Sequence, residues 1–145
     1  MVHDLYQEII LDHSKRPRNS RPMPDANREA DGFNPLCGDK LKLFLRVEND
    51  IVKDASFVGA GCAISTSSAS LMTESVKGKT KEEALKLLDK FHELLTTDVA
   101  VSQDLGKLVV FCGVRDYPAR VKCATLAWHT LKNALTNAGD PASTE

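Results

Sequence analysis

A thiol and a carboxylate stand two residues apart in this sequence, at Cys37 and Asp39, with a glycine between them. Pro35 restricts its own backbone and favours an extended conformation at Asn34. Gly38 permits a turn sharp enough for both side chains to point the same way. Because a thiolate and a carboxylate on one side of a tight turn can both bind zinc, the segment predicts part of a metal site. Two ligands do not complete such a site, so the rest of the chain must supply others.

Two more cysteines, Cys62 and Cys123, stand near predicted helix N-termini. Cys62 follows a Gly-Ala-Gly turn that leads from a strand pattern into a helix pattern, and Cys123 lies one turn after Arg120 in the last predicted helix. The unpaired N–H groups and the dipole at a helix N-terminus favour a thiolate over a thiol. With Cys37 and Asp39, these residues could form a site of three cysteines and one aspartate. That donor set suits zinc and would release protons on binding the metal.

The spacing of these residues leaves two other interpretations open. The chain has no C-x-x-C pair and its cysteines are far apart, so the three could be unconnected residues of a folded domain. Nucleophilic catalysis by a Cys–His pair is the other interpretation, but no histidine is suitably placed. His13 is predicted to be partly exposed at the end of a helix, and His92 to face solvent. His129 lies about 240° around the helix from Cys123, at ~3.6 residues per turn, and cannot share its site.

The patterns around the candidate ligands predict one domain with a small antiparallel sheet and helices packed against it. Clean alternation predicts a half-buried strand over 40–47, and a polar turn connects it to a return strand over 51–58. A third strand is expected within 26–33. Thr80 and Glu83 form a capping box that opens one of the helices. Apolar residues at helical spacing predict helices over four segments, 2–13, 64–76, 80–95 and 118–136.

Other segments are predicted to be less regular. A loop over 14–25 contains three prolines and four positive charges, and it is predicted to be flexible. Residues 96–107 are polar and predict a connection with at most a short turn. Residues 108–114 are apolar, and Cys112 among them is predicted to pack in the core as a small hydrophobic residue. Residues 140–145 predict a frayed tail.

The composition is typical of a globular domain, because the 145 residues include 42% hydrophobic and 27% charged residues. The formal net charge of -1 gives no global electrostatic reason to bind nucleic acid or an anionic membrane. No apolar run approaches the ~20 residues that a membrane-spanning helix needs. The first residues lack the charged and apolar regions of a signal peptide, so we expect a cytoplasmic location. Four cysteines in that compartment favour metal binding or catalysis over disulfides.

Four motifs occur in order along the chain: DHSKRPRN at 12–19, NPLCGD at 34–39, GAGCAIS at 59–65 and PARVKCATLAW at 118–128. With them, nearly the whole chain resembles the IscU family of iron–sulfur cluster assembly proteins, and specifically its SufU branch. The resemblance implies an α+β fold, in which about five helices pack against a small three-stranded antiparallel sheet and the site lies at one end. The implied metal ligands are Cys37, Asp39, Cys62 and Cys123, the residues that the spacing also indicates.

Two features favour the SufU branch. Lys122 stands immediately before Cys123, where scaffold-type IscU proteins have a histidine, and the segment 97–116 resembles an insertion of SufU proteins. The resemblance implies a zinc-dependent sulfurtransferase that accepts sulfur from a SufS-type cysteine desulfurase and passes it to a SufBCD-type assembly complex. Zinc would hold Cys37 as a masked thiolate until a desulfurase histidine replaces it. The freed Cys37 would then attack the desulfurase persulfide.

The resemblance also carries alternatives. One is an IscU-like scaffold that assembles a 2Fe–2S cluster on the same ligands and transfers it, although Lys122 argues against this function. Another is a purely structural zinc domain, in which Cys37→Ala would unfold the protein. Arg120 matches the Pro-Ala-Arg element of the branch and is expected to support the site, by orienting Asp39 or stabilising thiolates. The loop over 14–25 could become ordered on the desulfurase.

Overall fold

The computed structural model describes residues 2–35, 38–96, 103–114, 117–136 and 142–143. Four α-helices and one 3-10 helical segment pack around one sheet. In chain order, the elements are α1 (Val2–Lys15), β1 (Arg28–Asn34), β2 (Asp39–Glu48), β3 (Ile51–Ala60), α2 (Ala63–Val76), α3 (Lys81–Thr96), the 3-10 segment (Gln103–Val114), α4 (Pro118–Thr136) and β4 (Ala142–Ser143). None of the helices in these ranges combines the length and the hydropathy that a membrane span requires.

β1, β2 and β3 form the antiparallel sheet that the sequence predicts, with β2 between the other two. The turn between β2 and β3 consists of Asn49 and Asp50, whose φ angles are 54° and 62°. These residue types adopt positive φ at low cost, and two such residues match the right-handed twist of a hairpin. Ala142–Ser143 add a short strand parallel to Gly32 and Phe33, where the sequence predicts a frayed tail. The predicted α+β fold is confirmed.

The sheet buries one face beneath the helices. Leu43, in the middle of β2, has no exposed surface. α4 packs directly on β1 at Gly32. A Cβ at this position would overlap Thr130 Oγ1, so the close approach requires glycine. Trp128 of α4 stacks on Phe91 of α3, with 4.7 Å between the ring centroids. Large apolar side chains buried in this way stabilise the fold by roughly 1.5–3 kcal/mol each, so the core fixes α4 and the sheet as one unit.

The 3-10 segment is a difference from the sequence prediction, which places a connection over 96–107. Gly106 (φ 55°, ψ -129°) divides the segment into two parts. Leu108 and Phe111 are fully buried, and the ring of Phe111 packs edge-on against Phe91 at 5.7 Å. Contacts with α3 therefore determine this conformation, and tertiary contacts of this kind override local propensity.

The predicted insertion at 97–116 is described only in part, since 97–102 and 115–116 lie outside the described residues. Cys112, within the described part, is half-buried and packs against the core. Cys112 therefore contacts the core, as predicted, but is not fully buried in it.

Of the predicted flexible loop at 14–25, residues 14 and 15 belong to α1, and the rest makes contacts with both β3 and α2. The carbonyl of Asn19 accepts a hydrogen bond from the backbone N–H of Phe57 in β3 (2.9 Å). The backbone N–H of Arg18 donates to Ser70 Oγ in α2 (2.8 Å). Met23 is buried, with 2% of its surface exposed. These contacts fasten the loop to both β3 and α2.

β3 is an outer strand of the sheet, and other segments bond to it at both ends. Besides the contact with the basic loop, the N–H of Val52 donates to the carbonyl of Lys79 (2.8 Å), and the carbonyl of Val52 accepts from Gly78 (2.7 Å). Between these ends, the Asp54 carboxylate pairs with Arg21 at 2.8 Å. Much of the free edge of β3 is therefore occupied.

His13 is only 2% exposed, so the prediction of a partly exposed helix-end histidine is wrong. Its Nδ1 lies 2.7 Å from Ser70 Oγ, and its Nε2 lies 3.8 Å from Glu74 Oε1. α1 packs against α2, whose fully buried Ser70 needs a polar partner. Burial, assisted by the charge of Arg18, lowers the pKa of His13 below its usual value. His92 is exposed, as predicted.

Candidate metal centre

Asp39 is the first residue of β2 and lies opposite Asn34 of β1 in the strand register. The backbone N–H of Gly38 donates to the carbonyl of Asn34 at 2.9 Å, which closes the base of the connection between the strands. Gly38 has a φ of 71°, a conformation that glycine adopts at low cost. The side chain of Asp39 is 1% exposed. Cys37, the predicted sulfur acceptor and fourth ligand, lies outside the described residues.

Cys62 is the N-cap residue of α2, at the helix start that the sequence predicts. Its Sγ accepts a hydrogen bond from the backbone N–H of Ser65 at 3.4 Å. Its own backbone N–H donates to Asp39 Oδ1 at 2.9 Å. A Cβ at Gly61 would lie 3.0 Å from the same oxygen, so a larger residue there would displace the carboxylate. The Cys62 sulfur and the Asp39 carboxylate thus both accept hydrogen bonds at the N-terminus of α2. The dipole at a helix N-terminus favours negative charge at this position.

Cys123 brings a third donor atom from the second turn of α4, and it is 4% exposed. Cys62 Sγ lies 3.8 Å from Asp39 Oδ2. The donor atoms of Asp39, Cys62 and Cys123 all lie within 4.8 Å of one another. Three elements that are distant in sequence, namely β2, α2 and α4, therefore meet at one end of the sheet. Their meeting point brings together three of the four predicted ligands.

The chemistry of this donor set fits zinc. Zinc sites in proteins use cysteine sulfur and carboxylate oxygen, with bonds of ~2.0–2.3 Å that place tetrahedral donor atoms about 3.5 Å apart. The separation of 3.8 Å between Cys62 Sγ and Asp39 Oδ2 is close to that distance. Three ligands leave room for a fourth, for which Cys37, two positions before Asp39, remains the predicted residue.

Arg120 lies beside the site, on the cavity that Cys62 and Cys123 also line. It is exposed, and its guanidinium carbon lies 4.5 Å above the centre of the Tyr117 ring, a cation–π contact. Arg120 and Tyr117 line an open cavity of about 920 Å³ together with Cys62 and Cys123. Arg120 is therefore placed to meet a molecule that approaches the thiols from this cavity.

Asn34 also belongs to this site, although the sequence patterns give no reason to include it. Its side chain has no exposed surface. Its Nδ2 lies 3.4 Å from Asp39 Oδ2 and 3.5 Å from Cys123 Sγ. The hairpin register could have indicated this role, because Asn34 is the residue directly opposite Asp39.

Comparison with known proteins gives the family. Residues 5–137 match the model of the NifU-like N-terminal domain. The zinc-dependent sulfurtransferase SufU of Bacillus subtilis is 42% identical over 132 residues, which cover 90% of this chain and 89% of that protein. The iron–sulfur cluster assembly scaffold protein IscU of Streptococcus pyogenes is also 42% identical, over 92% of this chain and 84% of that protein.

Solved structures agree with these relatives. A crystal structure described as an iron–sulfur cluster assembly scaffold protein for the SUF system, from Fervidobacterium islandicum, superposes with a TM-score of 0.83. It is 37% identical, and the match covers 92% of this chain and 98% of that one. The resemblance noted from the motifs is confirmed: the chain belongs to the NifU-like N-terminal domain family of iron–sulfur cluster assembly proteins, to which IscU and SufU belong.

Proposed function

We propose that this protein is a zinc-dependent sulfurtransferase of iron–sulfur cluster assembly. In this proposal, Cys37 accepts sulfur from a SufS-type cysteine desulfurase and passes it to a SufBCD-type assembly complex. The observation that carries the proposal is the meeting of Asp39, Cys62 and Cys123 in one group, in which Asp39 and Cys123 are buried and Cys62 is half-buried. The similarity to the Bacillus subtilis sulfurtransferase supports it, as does Lys122 at the position before Cys123.

Asp39, Cys62 and Cys123 would hold the zinc, with Cys37 as the fourth ligand. Bound zinc keeps cysteine ligands in the thiolate form and so provides a nucleophile at neutral pH. The chain contributes the geometry. The N–H groups of Ser65 and Cys62 fix one thiol and the carboxylate at the start of α2. Cys123 is fixed by its position in the core-packed helix α4, so three of the four ligands come from well-packed elements.

The transfer step is a thiol exchange. The Cys37 thiolate attacks the terminal sulfur of a persulfide on the desulfurase cysteine, and the S–S bond of that persulfide breaks. The desulfurase cysteine leaves as a thiolate, and Cys37 now carries the persulfide. No external oxidant or reductant is required, because one S–S bond forms as another breaks. The cavity lined by Arg120 and Tyr117 gives the partner a route to the thiols.

The test is to mix the zinc-loaded protein with its desulfurase and to measure sulfide release from cysteine. We expect the protein to accelerate release, and Cys37→Ser to abolish the acceleration. Cys112→Ser is the matched control, because Cys112 packs against the core and does not line the cavity, and it should leave the acceleration unchanged. Mass spectrometry should find the persulfide on Cys37. No acceleration, or a persulfide on Cys62 or Cys123 and never on Cys37, would contradict the proposal.

A second candidate is a scaffold on which a 2Fe–2S cluster is assembled from delivered iron and sulfide and then transferred. The equal similarity to the Streptococcus pyogenes scaffold protein favours it, and the same thiols would hold the cluster. Iron and acid-labile sulfide that remain bound after purification without oxygen would support this function over the first. If Cys37→Ala unfolds the protein and no desulfurase is accelerated, the zinc serves structure alone.

A further inference from the structure

The side-chain amide of Asn34 lies between two of the proposed ligands. One amide nitrogen, Nδ2, is 3.4 Å from Asp39 Oδ2 and 3.5 Å from Cys123 Sγ. All three side chains are buried, with exposed fractions of 0% for Asn34, 1% for Asp39 and 4% for Cys123. Water therefore has little access to the Asp39 oxygen or the Cys123 sulfur. The Asn34 amide supplies the hydrogen bond that water would otherwise donate.

An asparagine NH2 group has two N–H donors, and here it lies within reach of two acceptor atoms, a carboxylate oxygen and a sulfur. Both contacts therefore hold their acceptor atoms in place beside the same amide nitrogen. Cys62 receives its own donor from the N–H of Ser65. Each described sulfur of the site thus accepts from a nearby N–H group. Asn34 is the donor to the sulfur of Cys123, and the same amide nitrogen also contacts the carboxylate of Asp39.

The backbone of Asn34 has a separate connection to the segment that contains Cys37. Its carbonyl accepts the N–H of Gly38, and the residue pairs with Asp39 across the hairpin. The backbone and the side chain of Asn34 together therefore contact Gly38, Asp39 and Cys123.

We propose that Asn34 is a positioning residue, which holds the side chains of Asp39 and Cys123 in their metal-binding arrangement. This inference rests on the proposed function only in assuming that the site binds zinc. Hydrogen-bonding partners of metal ligands commonly alter metal affinity by ~10–100-fold, which sets the size of the expected effect.

The test is zinc affinity, measured by competition with a chromophoric chelator, without any desulfurase. Asn34→Leu removes both donors at nearly constant volume and should weaken zinc binding by at least ~10-fold. Asn34→Asp keeps the shape but adds a negative charge beside the ligands, and should weaken binding further. In cobalt-substituted protein, both variants should shift the sulfur-to-metal charge-transfer band, because Cys123 loses its hydrogen bond.

Asn27→Leu is the matched control. Asn27 bonds the backbone of Val47 through both its amide nitrogen (2.7 Å) and its amide oxygen (2.8 Å), away from the site. Asn27→Leu should lower the free energy of unfolding but leave zinc affinity and the cobalt spectrum unchanged. Unchanged affinity and spectrum in both Asn34 variants would show that Asn34 only supports the fold, and would overturn the inference. If Asn34→Leu does not fold, Asn34→Asp gives the same decision. Failure of sulfur transfer alone would contradict the proposed function and leave this result intact.

Discussion

The N-termini of α2 and α3 satisfy their backbone N–H groups in different ways. At α3, Thr80 and Glu83 bond to each other's backbone N–H groups at 3.0 and 3.1 Å, a local and exposed capping box. At α2, the cap is the sulfur of Cys62, and the N–H of that residue bonds to Asp39, 23 positions earlier in the chain. The start of α3 is therefore an independent capping motif, whereas the start of α2 shares its residues with the candidate metal centre.

The largest expected effect comes from removing the shared group at α2. Asp39→Ala leaves the partly buried N–H of Cys62 without its acceptor, which should destabilise the metal-free protein by ~1–3 kcal/mol. The same variant removes a proposed ligand and should weaken zinc binding by ~100-fold or more. Urea unfolding of the metal-free protein and zinc competition measure the two losses separately.

Asp39→Asn is the control for that experiment. Its amide oxygen can still accept the Cys62 N–H, so the metal-free protein should keep nearly all of its stability, while zinc binding remains weak. If Asp39→Asn and Asp39→Ala are equally unstable without metal, the helix-capping role assigned to Asp39 is wrong.

Zinc should protect one helix start and leave the other unchanged. With free zinc at 100 times its Kd, a site that is lost on local opening gains ~2.7 kcal/mol of protection. We expect slower hydrogen exchange at the amides of Cys62 and Ser65, and little change at Glu83, whose bonds are local. Equal slowing at all three amides would mean that α2 and α3 open as one unit.

Disrupting the local cap should have a smaller and purely structural effect. Thr80→Ala removes the side chain that accepts the N–H of Glu83, at a cost of ~1 kcal/mol in the free energy of unfolding. Zinc affinity should not change, because the capping box touches none of the proposed ligands. Denaturant unfolding with a parallel zinc titration tests both statements, and a loss of zinc affinity would disprove the independence of α3.

The smallest effect is in the pH dependence of the same cap. The hydrogen bond from the backbone N–H of Thr80 is the main cause that lowers the pKa of Glu83 below its ordinary value of 4.5. A lowered pKa in the folded state means that the stabilisation is present above pH 4.5 and is lost as the pH falls through the folded value. The stability difference between the native chain and Glu83→Gln should therefore shrink on acidification. A difference that grows would give the opposite sign and contradict this assignment.

Local and periodic features of this fold could be predicted from the sequence, and long-range ones could not. The capping box and the alternating strand β2 depend on residues within a few positions of one another, so their patterns are visible. The burial of His13 depends on Ser70, and the conformation of the 3-10 segment depends on packing against Phe91. Such contacts join positions that no periodicity connects.

The candidate site follows the same division. Cys62 was predictable as a helix start from the glycines before it, and Asp39 from the turn at Gly38. Their positions at helix starts and a turn allowed one site with Cys123 but also left unconnected cysteines open, and only the family resemblance implied that the four residues form one site. The role of Asn34 was not predicted, because it depends on a strand register that only the folded hairpin defines.

The occupied edge of β3 also bears on the tendency of this protein to aggregate at high concentration. Unpaired strand edges promote intermolecular sheet growth, and natural proteins suppress it with covering segments and edge charges. Here Asn19 and Lys79 bond to the two ends of β3, and the charge pair of Asp54 and Arg21 lies between them. We therefore expect the loop before β1 to limit aggregation. Truncating this loop should reduce solubility even where the candidate metal centre stays intact.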